Sequence, residues 1–242
     1  DLDTKFGLPR DVTFCAKCII SNQRPNSAVE TQHSSNTKKK TINISNDGVC
    51  DACKNAEIKK NTDWSNREKE LLELCDKYRK DDGRYDCLIP GSGGKDSFYA
   101  SHVLKYKYGM NPLTVTWAPH IYTEWGQKNF HSWIGAGFDN YLMTPNERVH
   151  RLLTRLAVEN LLHPFQPFML GQKNLAPRLA NLFNIPLVFY GEDEAEYGNP
   201  ISDTKTAERS DEYFSSEDSK NIYLGGTLIQ ELIEEYGLKK VD

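Results

Sequence analysis

The stretch "CLIPGSGGKDSFYASHVL", residues 87–104, decides the fold. It opens as a short apolar run suited to a buried strand and closes with Ala100, Val103 and Leu104 at helical spacing. Between these halves stand three glycines, a lysine and an aspartate. A strand that turns through glycines into a helix leaves several backbone N–H groups pointing at one spot, which is the geometry that binds an anion. Gly91, Gly93 and Gly94 permit close backbone approach or positive φ, Ser92 and Ser97 offer hydroxyls, and Lys95 adds a cation. Asp96 would repel a phosphate directly, so beside one it makes sense as a ligand for a divalent cation, Mg2+. The plain alternative is a glycine turn capped by Asp96 and Ser97. Two better-known templates fail: GxxxxGK[ST] needs a glycine where Ile89 stands, and GxGxxG needs one where Asp96 stands.

Outward from this loop, short apolar runs alternate with longer helical ones. Candidate strands are Tyr85–Ile89, Leu113–Trp117, Tyr141–Met143, Phe165–Leu170 and Pro186–Tyr190. Helices are expected over 97–108, ending at Gly109, over 145–162, and over "NLAPRLANLF" at 174–183, with Pro177 tolerated only in a first turn. An amphipathic helix is expected over 64–80, and a last one carries Leu228, Leu232 and Tyr236. The run 201–220 is polar and acidic and reads as a mobile loop. Strands separated by helices argue for a parallel sheet wrapped by helices, with ligands at the carboxyl ends of its strands. The expected organisation is a cysteine-bearing module over 1–60, a connecting helix within 61–84, a main domain over 85–200 and an acidic loop with a C-terminal helix over 201–242.

All six cysteines lie at or before position 87, and four form two pairs, Cys15–Cys18 and Cys50–Cys53, with 31 residues between. Two residues between thiolates let one tight turn aim both sulfurs at one ion, and two such turns complete a tetrahedral shell of the kind zinc takes. The module is therefore read as zinc-ribbon-like, with "ETQHSSNTKKKT" (30–41) as a solvated hairpin tip. A redox CxxC would sit in a βαβ context, which these pairs lack. Cys75 and Cys87 read as buried apolar residues. The six histidines, at 33, 102, 120, 131, 150 and 163, show no ligand spacing and read as surface or core residues.

The 242 residues carry a formal charge of −4, and the imbalance is local: residues 186–242 hold five basic against 14 acidic side chains. That distribution disfavours nucleic acid as the main substrate, because a phosphate backbone is met with a basic face. No apolar run reaches the ~18 residues of a membrane span, and the polar opening does not resemble a signal peptide, so the expected location is the cytoplasm.

The loop "SGGKDS" after a first strand resembles the pyrophosphatase loop of the N-type ATP pyrophosphatases, enzymes of the PP-loop, adenine nucleotide alpha-hydrolase-like superfamily, which split ATP between its α and β phosphates. "FMLGQKN" (168–174) resembles the strand-Gly-polar element that faces the nucleotide there. Taken with the CxxC pairs, "HPFQPFMLGQKNLAPRLA" and "IPLVFYGEDEAEYGN", the chain resembles the bacterial N-acetyl sugar amidotransferases of surface-polysaccharide and flagellin-sugar pathways. The resemblance implies a doubly wound parallel sheet of about five strands. It also implies ATP with Mg2+, a structural Zn2+ on Cys15, Cys18, Cys50 and Cys53, and a nucleotide-linked N-acetyl sugar whose acetamido oxygen is adenylated before ammonia displaces AMP.

On that reading Ser92, Gly93, Gly94, Lys95 and Ser97 hold the departing pyrophosphate and Asp96 binds Mg2+. Gly171, Gln172 and Lys173 would approach the α-phosphate and ribose. Glu192, Glu196 and Tyr197 could orient substrate or ammonia, with a solvated acidic loop as the plain alternative. No cysteine follows Cys87 to serve a glutaminase, so ammonia would come from solution or from a separate glutaminase subunit. Two other readings stand beside this one: a tRNA-thiolating enzyme with the same loop and CxxC pairs, and a non-catalytic zinc- and nucleotide-binding scaffold.

Overall fold

The structure is a computed structural model, which describes residues 7–26, 29–192 and 221–239. Within them, helix α1 (Asp51–Lys60) and helix α2 (Trp64–Tyr78) lead into strand β1 (Cys87–Pro90). Helix α3 (Lys95–His102) follows the glycine loop and widens into a five-residue π turn, Val103–Lys107, which ends before Gly109 at φ 64°. Then come β2 (Pro112–Trp117), α4 (Glu124–Gly135), β3 (Asn140–Met143), α5 (Glu147–Leu161) and α6 (Gln166–Leu182). A short antiparallel pair, β4 (Tyr223–Leu224) and β5 (Thr227–Leu228), precedes α7 (Ile229–Glu234).

Strands β1, β2 and β3 pair in parallel in that spatial order, with Val115 opposite Pro90 and Tyr141. The class is mixed α/β, and side-chain alternation along β1 explains its layering. Leu88 points to one face, where with Leu113 and Val115 it packs on Leu175, Ala176 and Ala180 of α6. Cys87 and Ile89 point to the other, against Cys75 of α2 and against Leu104 and Tyr108 after α3. Cys75 and Cys87 are fully buried, as the sequence leads one to expect, and burial pushes the Cys87 thiol up to about 12. Buried Asp86 ties the start of β1 to its neighbours, one carboxylate oxygen accepting the Lys80 N–H at 2.6 Å and the other the Asn111 N–H at 2.7 Å.

Three expectations are corrected. Phe165–Leu170 is not a strand but the opening of α6, a 17-residue helix with Pro167 in its first turn. Pro177 therefore stands inside α6 rather than at its start; it removes one N–H from the helical ladder, and the packing of Leu175, Ala176 and Ala180 on the sheet holds the helix regardless. The run 30–41 is not wholly a solvated tip, because Glu30 and His33 are 3% and 4% exposed. Of the remaining strands, 186–190 runs beside β1 on the edge away from β2, joined by the Leu88 N–H to the Leu187 carbonyl and the Phe189 N–H to the Leu88 carbonyl, 2.9 Å each. The acidic run 201–220 lies outside the described residues.

Ile19, just after the first CxxC, is a local conflict. Its φ is 66°, a left-handed conformation that a β-branched side chain resists, and the side chain is 75% exposed. Relief of about 1–2 kcal/mol of strain outweighs the ~0.4–1 kcal/mol that glycine loses through unfolded-state entropy. Ile19→Gly is therefore expected to raise the unfolding free energy by about 0.5–1 kcal/mol, checked by urea titration; a lower midpoint would contradict this reading of the turn.

Candidate functional site

The glycine loop leaves the carboxyl end of β1, where the Gly91 N–H still bonds the Val115 carbonyl at 2.9 Å. Three close approaches fix its path. A side chain on Gly91 would run into Ser97; one on Gly93, whose φ is 79°, would stand 2.7 Å from the Asn129 carbonyl oxygen. A Cβ on Gly191, in the segment beside β1, would sit 2.8 Å from the Asp96 carbonyl carbon. Gly94 is the N-cap of α3 and no side chain caps that end, so the first-turn N–H groups face outward at the positive end of the helix. Ser97 is buried and turns its hydroxyl back to the Gly94 carbonyl at 3.3 Å. Lys95 lies on the surface with Nζ 2.6 Å from an Asp96 carboxylate oxygen. Asp96 thus pairs with lysine, and its side chain does not cap the helix.

Beside the loop, a cleft of about 570 Å³ opens between α2, α3 and the 189–191 segment. Lys95 and Asp96 stand on its rim, and Tyr99, Val103, Phe189 and Tyr190 give it an apolar wall. Of the other predicted site residues, Gly171, Gln172 and Lys173 lie on α6, not after a strand. Gly171 is packed face-on to the Trp117 indole at the carboxyl end of β2, Gln172 is exposed and Lys173 half-buried. Glu192 is exposed; Glu196 and Tyr197 lie outside the described residues.

The two CxxC turns converge. The Sγ atoms of Cys15 and Cys53 are 3.9 Å apart, those of Cys18 and Cys50 are 3.6 Å apart, and all four lie within 4.8 Å of one another. A tetrahedral site with Zn–S bonds of ~2.3 Å requires sulfurs about 3.8 Å apart, so these cysteines are placed to hold a metal ion such as zinc. Backbone N–H groups serve the sulfurs: Lys17 and Cys50 donate to Cys15 Sγ at 3.4 and 3.3 Å, and Cys53 donates to Cys50 Sγ at 3.5 Å. Hydrogen bonds from the Cys18 and Cys50 backbones lead in holding the Cys15 thiol down to about 6, whereas burial followed by the neighbouring sulfurs pushes Cys53 up to about 12. A divalent cation resolves that conflict by stabilising all four as thiolates.

A third group had no sequence signature. Glu30 presents one carboxylate oxygen to His33 Nδ1 at 3.4 Å and the other to His163 Nε2 at 4.0 Å. Burial raises the Glu30 carboxyl, yet the His33 hydrogen bond and the charges of His33, His163 and Lys39 prevail and hold it below its ordinary range. Behind it Gln166, fully buried, donates to the Glu30 carbonyl at 3.0 Å and accepts the Gly225 N–H at 2.9 Å.

No protein-family model matches the chain. An uncharacterized protein of Methanocaldococcus jannaschii is 37% identical over 83 residues, which is 34% of this chain and 29% of that protein. The chain thus aligns with under a third of that relative. Among the described residues, no helix is long and apolar enough to cross a membrane.

Proposed function

We propose that the chain is an ATP pyrophosphatase-type amidotransferase with a doubly wound PP-loop core of about five strands, acting on a nucleotide-linked N-acetyl sugar. The observation that carries the reading is the glycine loop: a buried parallel strand feeding an uncapped helix N-terminus, with Lys95 and Asp96 at its mouth. The four-cysteine cluster in the preceding module and the failure of the Walker and dinucleotide templates agree with it.

An amide is a poor electrophile because its oxygen is a poor leaving group. In the proposed reaction the acetamido oxygen attacks the α-phosphorus of ATP and the bond to the β-phosphate oxygen breaks, releasing pyrophosphate. Ammonia then adds to the activated carbon, AMP leaves with the C–O bond electrons, and loss of a proton yields the acetamidino group. The backbone N–H groups of Gly93, Gly94 and the first turn of α3, with Lys95, neutralise charge as pyrophosphate departs. Ser92 adds a hydroxyl, and the buried Ser97 contributes its N–H. Asp96, partly exposed, is assigned to Mg2+, which would offset phosphate charge once the carboxylate is released from Lys95. Gln172 and Lys173 are assigned to the α-phosphate and ribose side, with Gly171 behind them against Trp117, and Glu192, Glu196 and Tyr197 to orienting substrate and ammonia. The ammonia comes from a separate glutaminase subunit, delivered unprotonated and away from water.

Purified chain is expected to release pyrophosphate from ATP only when an N-acetylated nucleotide sugar is present, and to do so over many turnovers only when ammonia is present too. Lys95→Ala should slow that release at least tenfold, about 1.4 kcal/mol of barrier. Unchanged release in Lys95→Ala would remove the loop from the mechanism, and release triggered by tRNA instead of sugar would turn the assignment to thiolation.

A further inference from the structure

A second cleft, of about 330 Å³, lies where the N-terminal module meets the turn between α5 and α6. That volume is at the small end of ligand sites. Its polar wall carries Lys39, His33, His163 and Asn160, together with the hydroxyls of Ser34, Ser35 and Thr37; its apolar wall carries Leu8, Pro25, Leu161 and Leu162. No acidic side chain is among the described residues that line it.

The wall is built and held. Glu30 sits behind it with one oxygen toward each imidazole, so the carboxylate is matched within the protein. A carboxylate facing Nδ1 makes that nitrogen of His33 the donor, and it is the protonated ring, flanked by Glu30 on one side and an anion on the other, that would donate from Nε2 as well. Gln166 fixes the Glu30 backbone from below, and the turn carrying His163 is set by Leu162, a non-glycine residue at φ 52°. That left-handed residue ends α5, with the His163 N–H returning to the Ala157 carbonyl at 3.2 Å, so the turn holds His163 against the helix end. Lys39, whose charge also acts on Glu30 through the wall, brings a cation to the lining of the same cleft.

We propose that this cleft is a second small-molecule site, taking a small organic anion whose carboxylate or phosphate head meets Lys39 and His33 and whose apolar body lies against Leu161 and Leu162. It is independent of the glycine loop and does not rest on the reaction assigned to it.

The test is an NMR titration of the histidine Cε1–H signals of the full chain at constant ionic strength, with butyrate, butyl phosphate and inorganic phosphate as separate probes. Saturable shifts of His33 and His163 are expected with butyrate or butyl phosphate, the tighter of the two naming the head group, and weaker binding with inorganic phosphate, which lacks the apolar body. Lys39→Gln, a partly exposed position outside the packed core, should weaken binding about fivefold. Lys95→Ala should leave it unchanged. The proposal is overturned if neither organic probe saturates, if inorganic phosphate binds as tightly as butyl phosphate, or if Lys39→Gln binds like the wild type.

Discussion

Replacing Cys50 by serine is expected to abolish stoichiometric metal binding and to unfold the N-terminal module. Cys50 is fully buried, caps α1 with a sulfur that accepts the Cys53 N–H, and donates its own N–H to Cys15 Sγ. A serine hydroxyl stays protonated near neutrality and is a weak zinc ligand, so the fourth position is lost along with the cap. Structural zinc supplies ~10–16 kcal/mol in small metal-folded peptides, far more than the apolar cluster of Cys15, Ile42 and Cys50 could provide alone. Metal analysis of purified protein is expected to find about one zinc per chain in the wild type and none in the variant. Hydrogen exchange across residues 13–53 should accelerate in parallel. A variant that keeps its metal and its exchange pattern would show that the four sulfurs are not a metal site.

Gly171→Ala has the second largest expected effect, and two opposed terms decide its sign. In a helix interior alanine is favoured over glycine by roughly 1 kcal/mol. Here the added carbon would press into the Trp117 ring, with Cδ2 at 2.6 Å and two other ring carbons nearer, where ordinary contacts lie beyond about 3.4 Å. The ring is itself packed against the α6 face of the sheet and stands 6.3 Å from the His150 ring, so it cannot swing aside freely. Overpacking of this kind costs ~1–3 kcal/mol or more, and the clash wins. Approaches this short put the cost at the upper end of that range, so a net loss of about 2 kcal/mol is expected, a fall in Tm of roughly 4–8 °C for a chain of this size. The exposed neighbour Gln172→Ala should change Tm by little. A stabilised Gly171→Ala protein would mean that α6 does not lie on Trp117 as described.

The strands β1, β2 and β3 were legible because each is a short apolar run bounded by glycine, proline or asparagine. The cysteine cluster was legible because four thiolates on two CxxC turns have one tetrahedral arrangement in common, whatever lies between them. "FQPFML" misled for a physical reason. A short apolar run has no period of its own, and only the continuation through Leu175, Ala176 and Ala180 onto one face shows it to be a helix. Pro177, read as a helix opener, gave a false boundary in the middle of α6. The Glu30, His33 and His163 group left no trace in the sequence: His163 stands 130 residues beyond His33, and Glu30 stands in a polar run that looks solvated until α6 covers it. Burial of a charge is decided by tertiary packing and has no local signature.

The Gln166 side chain has a consequence for how the chain assembles. Its two hydrogen bonds close loops of 136 and 59 residues. Because closure entropy grows only with the logarithm of length, the longer loop costs merely ~0.7 kcal/mol more than the shorter. The two loops meet only at residue 166, so each carries its own closure cost and neither shortens the other. What joins residues 30 and 225 is the one buried amide: replacing Gln166 would leave both the Glu30 carbonyl and the Gly225 N–H without that partner, so a single side chain holds two seams that lie far apart along the chain.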